Sequence, residues 1–529
     1  APRRGKQPRA FAMAFLALQG GGVRAFASDA GVLAGLACAA NKSVAELAGA
    51  FEATSSVSGS SWFAAELFYS PSFAELMAGM AASPSTAAAQ FQENWIQPWL
   101  RATQVSQPTF DGLQSIVRLL VRLLLGTGDE DTIFIAQFFL ASGLTWTHFV
   151  EVLLNSTAAI PKQLPLGAEP TMAQGRHWLV DHSLLLPVAN PAAVYRGGLG
   201  LFRTSYSATT KNGELPVFLP AKFSVALGAG VHRAAPLPYL AQPQLPIEFS
   251  YQGHWPLGGS SSSSGPLVLD AANGSLGVWS GHVPVSAAAA ASSAVFGAEP
   301  VDGLPAVELA SLLKADVAVW AAIDGFEVAD QLRAALAHPD AQKVAVLGQE
   351  AVHALIDGGY TDGTGIAQAV ASGAEEVVVV LNSYSSNLAE YVAQLFPGGP
   401  VTKPGVPKEL YPVFSAPSAA AVDEAFAQFR QLQIAEGSSY LKVLAVGSFE
   451  ATTAKNAYFG TEEGRQVSIR IINVCSELSI GFFANFGHYS ALVQEVALSL
   501  AHPKNRAELR TVLPWFAGKA AKASKALVV

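Results

Sequence analysis

Short apolar runs followed by turns and helical stretches open the chain. Residues 15–19 are apolar and stop at three glycines, and residues 23–40 have the small-residue composition of a packed helix. Residues 51–57 and 61–68 repeat this order of strand, turn and helix, with Ser58 at the turn. Two such units in succession predict the start of an α/β fold.

The second half of the chain contains apolar runs that are continuous rather than alternating. Strands covered by helices on both faces have this composition. The runs lie at 343–347, 351–356, 377–381, 440–446 and 467–474. We therefore predict a central sheet flanked by helices.

Two intervening stretches differ from these flanks. Residues 70–175 have helical patterns with few strands. Residues 195–300 are rich in Pro, Gly and Ser, with strand candidates at 217–226 and 245–251 and a low-complexity run, GGSSSSSG, that is typical of a surface loop. We predict a single domain over 1–529 that contains a helical lid-type insertion at 70–175 and an irregular insertion at 195–300.

The composition is that of an apolar-rich globular protein. Hydrophobic residues make up 50% of the chain and charged residues 14%, against about 25% charged in an average soluble domain. The formal net charge is −8 and the basic residues form no stripe, which argues against a nucleic-acid partner. Cys38 and Cys475 are too few for a disulfide framework, so we expect buried free thiols. These features leave the compartment and the oligomeric state open.

The first turn suited to catalysis is GGGVRA, residues 20–25. Glycines after a strand adopt positive φ easily and expose backbone N–H groups at the start of a helix, where an anion is stabilised. Such a turn can hold a phosphate or a developing oxyanion. Glycines that only allow close packing have the same pattern, so this motif alone does not decide between the two.

Two further turns carry candidate side chains. A nucleophile elbow, the sharp strand-to-helix turn of many hydrolases, needs small residues around its serine, and SSVSGSSW places Ser58 among such residues. A serine-rich turn without a catalytic role is the alternative. In ALIDGGYTDG, an apolar strand ends at Asp357 and two glycines follow. An ordinary Asp-Gly turn is the alternative there.

GGGVRA, SVSGSSW and DGGY, in this order, resemble motifs of the patatin-like superfamily. The closer resemblance is to the catalytic domains of cytosolic phospholipase A2 and fungal phospholipase B. IEFSYQ (247–252) and SSAVFG (292–297) resemble two further segments of that branch. The resemblance runs from residue 15 to residue 385. It implies a patatin-like α/β fold with lid-type insertions, and a phospholipase A or lysophospholipase activity.

The resemblance also implies roles for individual residues. Ser58 corresponds to the nucleophile and Asp357 to the general base, so the two would form a Ser-Asp dyad. The amides of Gly21 and Gly22 correspond to the oxyanion hole. Arg24 corresponds to an arginine that contacts the lipid headgroup.

The chemistry of such a dyad requires no metal and no cofactor. A serine hydroxyl becomes nucleophilic when a base takes its proton, and the same base can later activate water. We expect no histidine to act as the base. His353 lies four residues before Asp357 on the same face of a strand, so a catalytic triad is the alternative, and His488 has no acidic or seryl motif beside it. The surroundings of His182 and His353 lack metal-ligand spacing. The family usually has glycine where this chain has Ser56, and serine is small enough for the same turn.

A membrane surface is an expected partner, besides the phospholipid or lysophospholipid substrate. Residues 115–125 (SIVRLLVRLLL) place Arg118 and Arg122 on one face of an apolar helix. This is the pattern of an interfacial helix and equally of a buried lid helix with two snorkelling arginines. Residues 132–149 contain no charged Asp, Glu, Lys or Arg, but their polar residues favour a buried helix-turn-helix over a membrane span. The alternative functions are a neutral-lipid esterase, an acyltransferase, or a non-catalytic lipid-binding subunit.

Overall fold

The computed structural model describes thirteen stretches of the chain: 13–103, 146–186, 217–228, 248–251, 266–270, 275–278, 284–293, 318–321, 352–383, 389–400, 412–456, 459–478 and 486–513. Several sequence predictions lie outside the described residues. They are the predicted strand at 343–347, the GGSSSSSG run, the apolar segment 115–125 and residues 132–145 of the predicted helix-turn-helix.

The strands of the described residues form one mixed sheet of fourteen. They are β1 (Ala14–Leu18), β2 (Ala53–Val57), β3 (His177–Leu186), β4 (Val217–Ala226), β5 (Glu248–Tyr251), β6 (Pro266–Asp270), β7 (Ser275–Val278), β8 (Ala318–Ala321), β9 (Val352–Asp357), β10 (Glu376–Ser383), β11 (Phe414–Ala416), β12 (Arg430–Gln431), β13 (Leu441–Thr453) and β14 (Gln466–Ser476). Their order is β11-β13-β14-β10-β1-β2-β3-β9-β8-β6-β7, with β12 paired to β13 and β4 joining β3 to β5.

The centre of the sheet is parallel. Strands β14, β10, β1, β2 and β3 run in one direction, and antiparallel strands extend the sheet on both sides. The run Val377–Leu381 in β10 is buried on both faces. The prediction that continuous apolar runs form covered strands is therefore confirmed in β10.

Helices flank this sheet. They are α1 (Gly22–Ala40), α2 (Val44–Ala48), α3 (Gly59–Tyr69), α4 (Pro71–Ala82), α5 (Ala87–Phe91), α6 (Gln97–Thr103), α7 (Trp146–Ala158), α8 (Val285–Ser292), α9 (Ile366–Ala371), α10 (Ala389–Ala393), α11 (Ala419–Ala427), α12 (Gly487–Ala501) and α13 (Arg506–Val512). A π-helical turn, Gln92–Ile96, joins α5 to α6, and 3₁₀ turns lie at Pro84–Thr86, Gly358–Tyr360 and Pro503–Asn505.

Helix α1 carries the glycine turn and packs closely against α12. A methyl group added at Gly31 would lie 2.8 Å from the Val493 carbonyl oxygen, and one at Gly35 would lie 2.8 Å from the Ala497 carbonyl oxygen. Glycine at these two positions allows the helix backbones to touch. Among the described helices, α1 is long and apolar enough to cross a membrane, and 89% of its apolar window is buried inside the protein.

The strand and helix pairs predicted around the first two turns are present, with ends shifted by one or two residues. Where it is described, the stretch 70–175 forms α4 to α7, and the stretch 195–300 forms β4 to β7 and α8. Both cysteines are free thiols, as expected, but only Cys475 is buried and Cys38 is partly exposed. The apolar pattern does not predict β3, although β3 lies at the centre of the fold.

Candidate active site

Ser58 forms the sharp turn between β2 and α3. Strand β2 ends at Val57 and α3 begins at Gly59, so a single residue makes the connection. Ser58 has φ 55° and ψ −129°, values that cost a non-glycine residue about 1–3 kcal/mol. Strain at a strand-to-helix turn is typical of a nucleophile elbow, because the turn presents the serine hydroxyl beyond the carboxyl end of the strand.

Two strands that meet end to end bring Asp357 to this turn. Strands β2 and β9 pair with the same edge of β3, because β4 occupies the opposite edge along its whole length. Val57 of β2 is in register with Asp181, and Asp357 of β9 is in register with the next residue, His182. Ser58, which follows Val57, therefore lies against Asp357.

Ser58 and Asp357 form a hydrogen bond. The Ser58 hydroxyl donates to Oδ2 of Asp357 at 2.7 Å, and the Gly359 amide donates to Oδ1 at 2.7 Å. Asp357 is buried, with 3% of its surface exposed. The backbone thus fixes one carboxylate oxygen, while the other is placed to take the serine proton.

The glycine turn packs directly against the elbow. Gly21 and Gly22 have φ of 145° and 58°, which glycine adopts without strain, and α1 begins at Gly22. A methyl group at Gly20 would lie 2.8 Å from Cβ of Ser58, and one at Gly59 only 2.2 Å from the Gly22 carbonyl oxygen. Within the described part of the chain, neither the Gly21 nor the Gly22 amide donates a hydrogen bond. Two available N–H groups at a helix N-terminus next to a serine hydroxyl are suited to stabilise an oxyanion.

Arg24 lies in the first turn of α1 and is buried. Its Nη2 donates to the Asn382 carbonyl at 3.3 Å, and it would lie 3.1 Å from a methyl group at Gly21. Only 3% of Arg24 is exposed, so its positive charge lies beside the glycine turn rather than in solvent. A cation at this position favours an anion bound at the turn.

Ser292, the last residue of α8, is a further neighbour of Ser58. Its Oγ accepts a hydrogen bond from the Ser58 amide at 3.1 Å and donates one to the Asp181 carbonyl at 2.7 Å. Ser292 begins the SSAVFG segment, whose resemblance to a family segment implies no role for any of its residues. No local pattern assigns a role to Ser292, because its contact with Ser58 spans 234 residues.

Two carboxyl groups are buried beside the elbow, each bonded to a serine. Ser55 Oγ lies 2.6 Å from Asp181 Oδ2, and Ser60 Oγ lies 2.5 Å from Asp29 Oδ2. Each serine also donates to a backbone carbonyl, at 2.9 Å and 2.7 Å respectively. A hydroxyl has one proton, so each serine shares it between a carboxyl and a backbone carbonyl, unless the carboxyl is protonated and donates to the serine. Burial raises the pKa of Asp29 and of Asp181 well above the usual range.

The histidines differ in their position relative to Ser58 and Asp357. His182 is opposite Asp357 in the register and fully buried, and burial lowers its pKa to about 3, which keeps it neutral near pH 7. His353 lies on β9, four residues before Asp357. The ring of His488 packs on Tyr440, with centroids 4.4 Å apart. No group of three His, Cys, Asp or Glu side chains is arranged to hold a metal ion in the thirteen described stretches.

Comparison with known proteins gives a structural similarity but no sequence match. No family model and no curated protein matches the chain. Among solved structures, the chain is similar to human GIVD cytosolic phospholipase A2, with a TM-score of 0.40 and 11% sequence identity. The match covers 98% of this chain and 64% of that one, so the chain spans less than two thirds of the length of the human protein. The geometry of the site is therefore what favours a function.

Proposed function

We propose that this protein is a serine lipid acyl hydrolase that cleaves carboxylic esters through an acyl-serine intermediate. The observation that carries the proposal is the 2.7 Å hydrogen bond from Ser58, in its strained turn, to the buried Asp357. A nucleophile at a strand-to-helix turn, paired with a base fixed by a backbone amide, is the arrangement that acyl transfer needs.

The first half of the reaction forms the acyl-serine. Oδ2 of Asp357 takes the Ser58 proton as Oγ attacks the ester carbonyl carbon. The carbonyl oxygen becomes an oxyanion and accepts hydrogen bonds from the Gly21 and Gly22 amides. The tetrahedral intermediate then collapses, the alcohol leaves with the proton held by Asp357, and the acyl group remains on Oγ.

The second half releases the acid. Asp357 takes a proton from a water molecule, which attacks the acyl-serine and forms a second oxyanion at the same amides. Collapse of that intermediate returns the proton to Ser58 and frees the carboxylic acid. Every step uses the residues of the dyad and the glycine turn.

The proposed substrate is a glycerophospholipid or a lysophospholipid at a membrane surface. Arg24 supports an anionic group in the substrate, because its charge lies beside the glycine turn, and the motif resemblance supports the same substrate class. A neutral-lipid esterase would use the same dyad without the anionic group. An acyltransferase would use it with an alcohol in place of water.

A fluorophosphonate probe tests the proposal, because it forms a covalent bond only with an activated serine. We expect the wild-type protein to be modified at Ser58, located by peptide mass spectrometry among the neighbouring serines, and Ser58→Ala to remain unmodified. Hydrolysis of a phospholipid, a lysophospholipid and a triglyceride by the wild-type protein then identifies the substrate class. A folded wild-type protein that neither reacts at Ser58 nor hydrolyses any of these esters would instead be a non-catalytic lipid-binding subunit.

A further inference from the structure

The strained backbone of Ser58 needs a partner that holds it in place. Strained residues persist only where the surrounding structure determines their conformation. Ser58 has φ 55°, and its amide donates to Oγ of Ser292 at 3.1 Å. Ser292 is fully buried, while Ser58 is partly exposed.

A count of protons fixes the direction of every hydrogen bond at Ser292. The Asp181 carbonyl can only accept, so Ser292 donates its single proton there, at 2.7 Å. Ser61 Oγ, 2.8 Å away, must then donate to Ser292, and Ser56 Oγ must donate to Ser61 at 3.0 Å. Ser56 in turn accepts from the Trp178 indole at 2.9 Å. Ser292 is thus a fixed acceptor for the Ser58 amide.

The same serine connects the nucleophile to the turn of the base. Ser292 holds the Asp181 carbonyl, and Gly358, which follows Asp357, packs on that carbonyl. A methyl group at Gly358 would lie 2.6 Å from the Asp181 oxygen. Any movement of Ser292 therefore affects both partners of the Ser58–Asp357 hydrogen bond.

We infer that Ser292 is a positioning residue of the proposed active site. Its hydroxyl accepts the hydrogen bond of the Ser58 amide and so holds the turn in its strained conformation. This in turn sets the distance between Ser58 and Asp357. A consequence follows for the oxyanion. Because the Ser58 amide is already bonded to Ser292, it is not available to an oxyanion, whereas the Gly21 and Gly22 amides are. The inference rests on the proposed function, because a positioning role for Ser292 presupposes a reaction at Ser58.

Ser293 provides a matched control. It is the next residue, is buried, accepts from the Trp62 indole at 2.8 Å and donates to the Ala289 carbonyl at 2.8 Å. Ser293→Ala therefore removes an equally buried hydroxyl and its bonds without touching Ser58. A lower activity of Ser292→Ala than of Ser293→Ala would then come from a displaced Ser58 rather than from a general loss of stability.

The experiment measures kcat and KM on a soluble short-chain ester, the rate of fluorophosphonate labelling, and the thermal midpoint of both variants. We expect Ser292→Ala to lower kcat and the labelling rate about 10- to 100-fold with KM nearly unchanged, in the range of other lost positioning contacts. Ser293→Ala should retain the wild-type kcat, and Ser292→Thr, which keeps the hydroxyl, should recover part of the loss.

A kcat for Ser292→Ala equal to that of Ser293→Ala would overturn the inference while leaving the proposed function intact. If Ser292→Ala does not fold, Ser292→Cys replaces it, because cysteine is similar in size and a weaker acceptor; wild-type kcat in that variant would overturn the inference equally. A wild-type protein without ester hydrolysis or Ser58 labelling would instead remove the proposed function, and the role of Ser292 with it.

Discussion

At the scale of single residues, the serines around the elbow have different tasks. Ser58 bears the strained backbone and the hydroxyl that faces Asp357. Ser56 occupies the position where the resembled family usually has glycine. Its Oγ accepts from the Trp178 indole at 2.9 Å, so a serine here satisfies a buried donor that glycine would leave without this partner. The departure from the family pattern therefore has a local structural reason.

Asp357→Asn is the residue-scale test of the base. The amide has the shape of the carboxyl group but cannot take the serine proton, so we expect kcat on a soluble ester to fall about 10²- to 10⁴-fold, the usual contribution of a general base. The free energy of unfolding should change little. Asp423→Asn, the same substitution at an exposed position of α11, is the control and should keep wild-type kcat.

His488→Ala tests whether this histidine, rather than Asp357, acts as the base. His488 packs on Tyr440 and is not among the hydrogen-bond partners of Ser58 or Asp357 in the described residues. Its removal should therefore lower kcat far less than Asp357→Asn does. A loss equal to that of the aspartate variant, in a folded protein, would point to a catalytic triad instead.

At the scale of elements, the site depends on the contact between the first turns of α1 and α3. The Gly22 backbone lies directly on Gly59, and no side chain separates the two helix starts. This contact sets the distance between the available amides of the glycine turn and the hydroxyl of Ser58. Helix α1 is in turn held by α12 through Gly31 and Gly35.

Gly59→Ala tests this contact. The added methyl group would lie 2.2 Å from the Gly22 carbonyl oxygen, so the two helices must move apart. We expect a loss of about 1–3 kcal/mol in the free energy of unfolding, as for other overpacked sites, and a fall in kcat larger than any change in KM. Gly175→Ala is the control, because a methyl group there meets nothing within 4 Å and only the positive φ of 76° opposes it. A kcat for Gly59→Ala equal to that of the control would show that the turn tolerates displacement.

The elements also show what a sequence can and cannot predict. The strands and helices around Gly20–Gly22 and Ser58 were predictable, because an apolar run, a turn of small residues and a helical pattern follow one another within a short segment. Strand β3 was not, because it contains four buried polar residues, His177, Asp181, His182 and Ser183. Asp181 is bonded to Ser55 of β2 and Ser183 to Thr361, both distant in sequence, so a search for apolar runs misses this strand. The role of Ser292 is hidden for the same reason, since its partners are distant in sequence.

At the scale of the whole molecule, the C-terminal part belongs to the same packed unit as the candidate site. The family resemblance ends at residue 385, yet β14 pairs with β10 in the middle of the sheet, and α12 packs on α1. The helix that begins at the glycine turn is thus supported by residues that the resemblance does not cover. Changes in this distal part should therefore affect the site through α1.

Binding to membranes is a whole-molecule property for which the sequence supplies a prediction. Arg118 and Arg122 lie in an apolar segment outside the described residues. Each arginine near an anionic surface contributes about 1 kcal/mol, so Arg118→Gln/Arg122→Gln should weaken binding to anionic vesicles about thirtyfold. Co-sedimentation with anionic and neutral vesicles measures this change.

The double variant needs a control with the same loss of charge. Lys504→Gln/Arg510→Gln removes two exposed cations at the C-terminal end of the described chain and should leave vesicle binding nearly unchanged. Hydrolysis of a soluble short-chain ester should survive in both double variants, because Ser58 and the proposed base Asp357 are unchanged. Unchanged binding in Arg118→Gln/Arg122→Gln would assign the segment to the protein core.

The stability of the whole molecule should depend on pH through buried acids, of which Glu66 is the clearest. Glu66 is fully buried, with Oε1 2.5 Å from Thr157 Oγ1 and Oε2 accepting from the Trp95 indole at 2.9 Å. Thr157 has one proton and also lies 2.7 Å from the Leu153 carbonyl, so a protonated Glu66 that donates to Thr157 satisfies both contacts. Burial raises the pKa of Glu66 from 4.5 to about 8, in agreement with a protonated group.

The sign of the effect follows from the two pKa values. Below pH 4.5 the carboxyl is protonated in both the folded and the unfolded chain, and its contribution to stability is fully present. Between pH 4.5 and about 8 the unfolded chain loses the proton while the folded protein keeps it, so stability falls by up to about 1.4 kcal/mol per pH unit. Above about pH 8 both states are ionised and the loss stops growing.

Glu66→Gln isolates this contribution from the rest of the protein. The glutamine amide can donate to Thr157 and its oxygen can accept from Trp95, so the hydrogen bonds of the protonated acid are kept without a titrating group. Urea unfolding at several pH values should show the variant close to the wild-type protein near pH 5 and increasingly more stable relative to it as the pH approaches 8. Glu75→Gln, at an exposed position of α4, should follow the wild-type curve throughout. Parallel curves for wild type and Glu66→Gln would mean that the folded protein holds Glu66 ionised, and that the hydroxyl of Thr157 donates to the carboxylate instead of to the backbone.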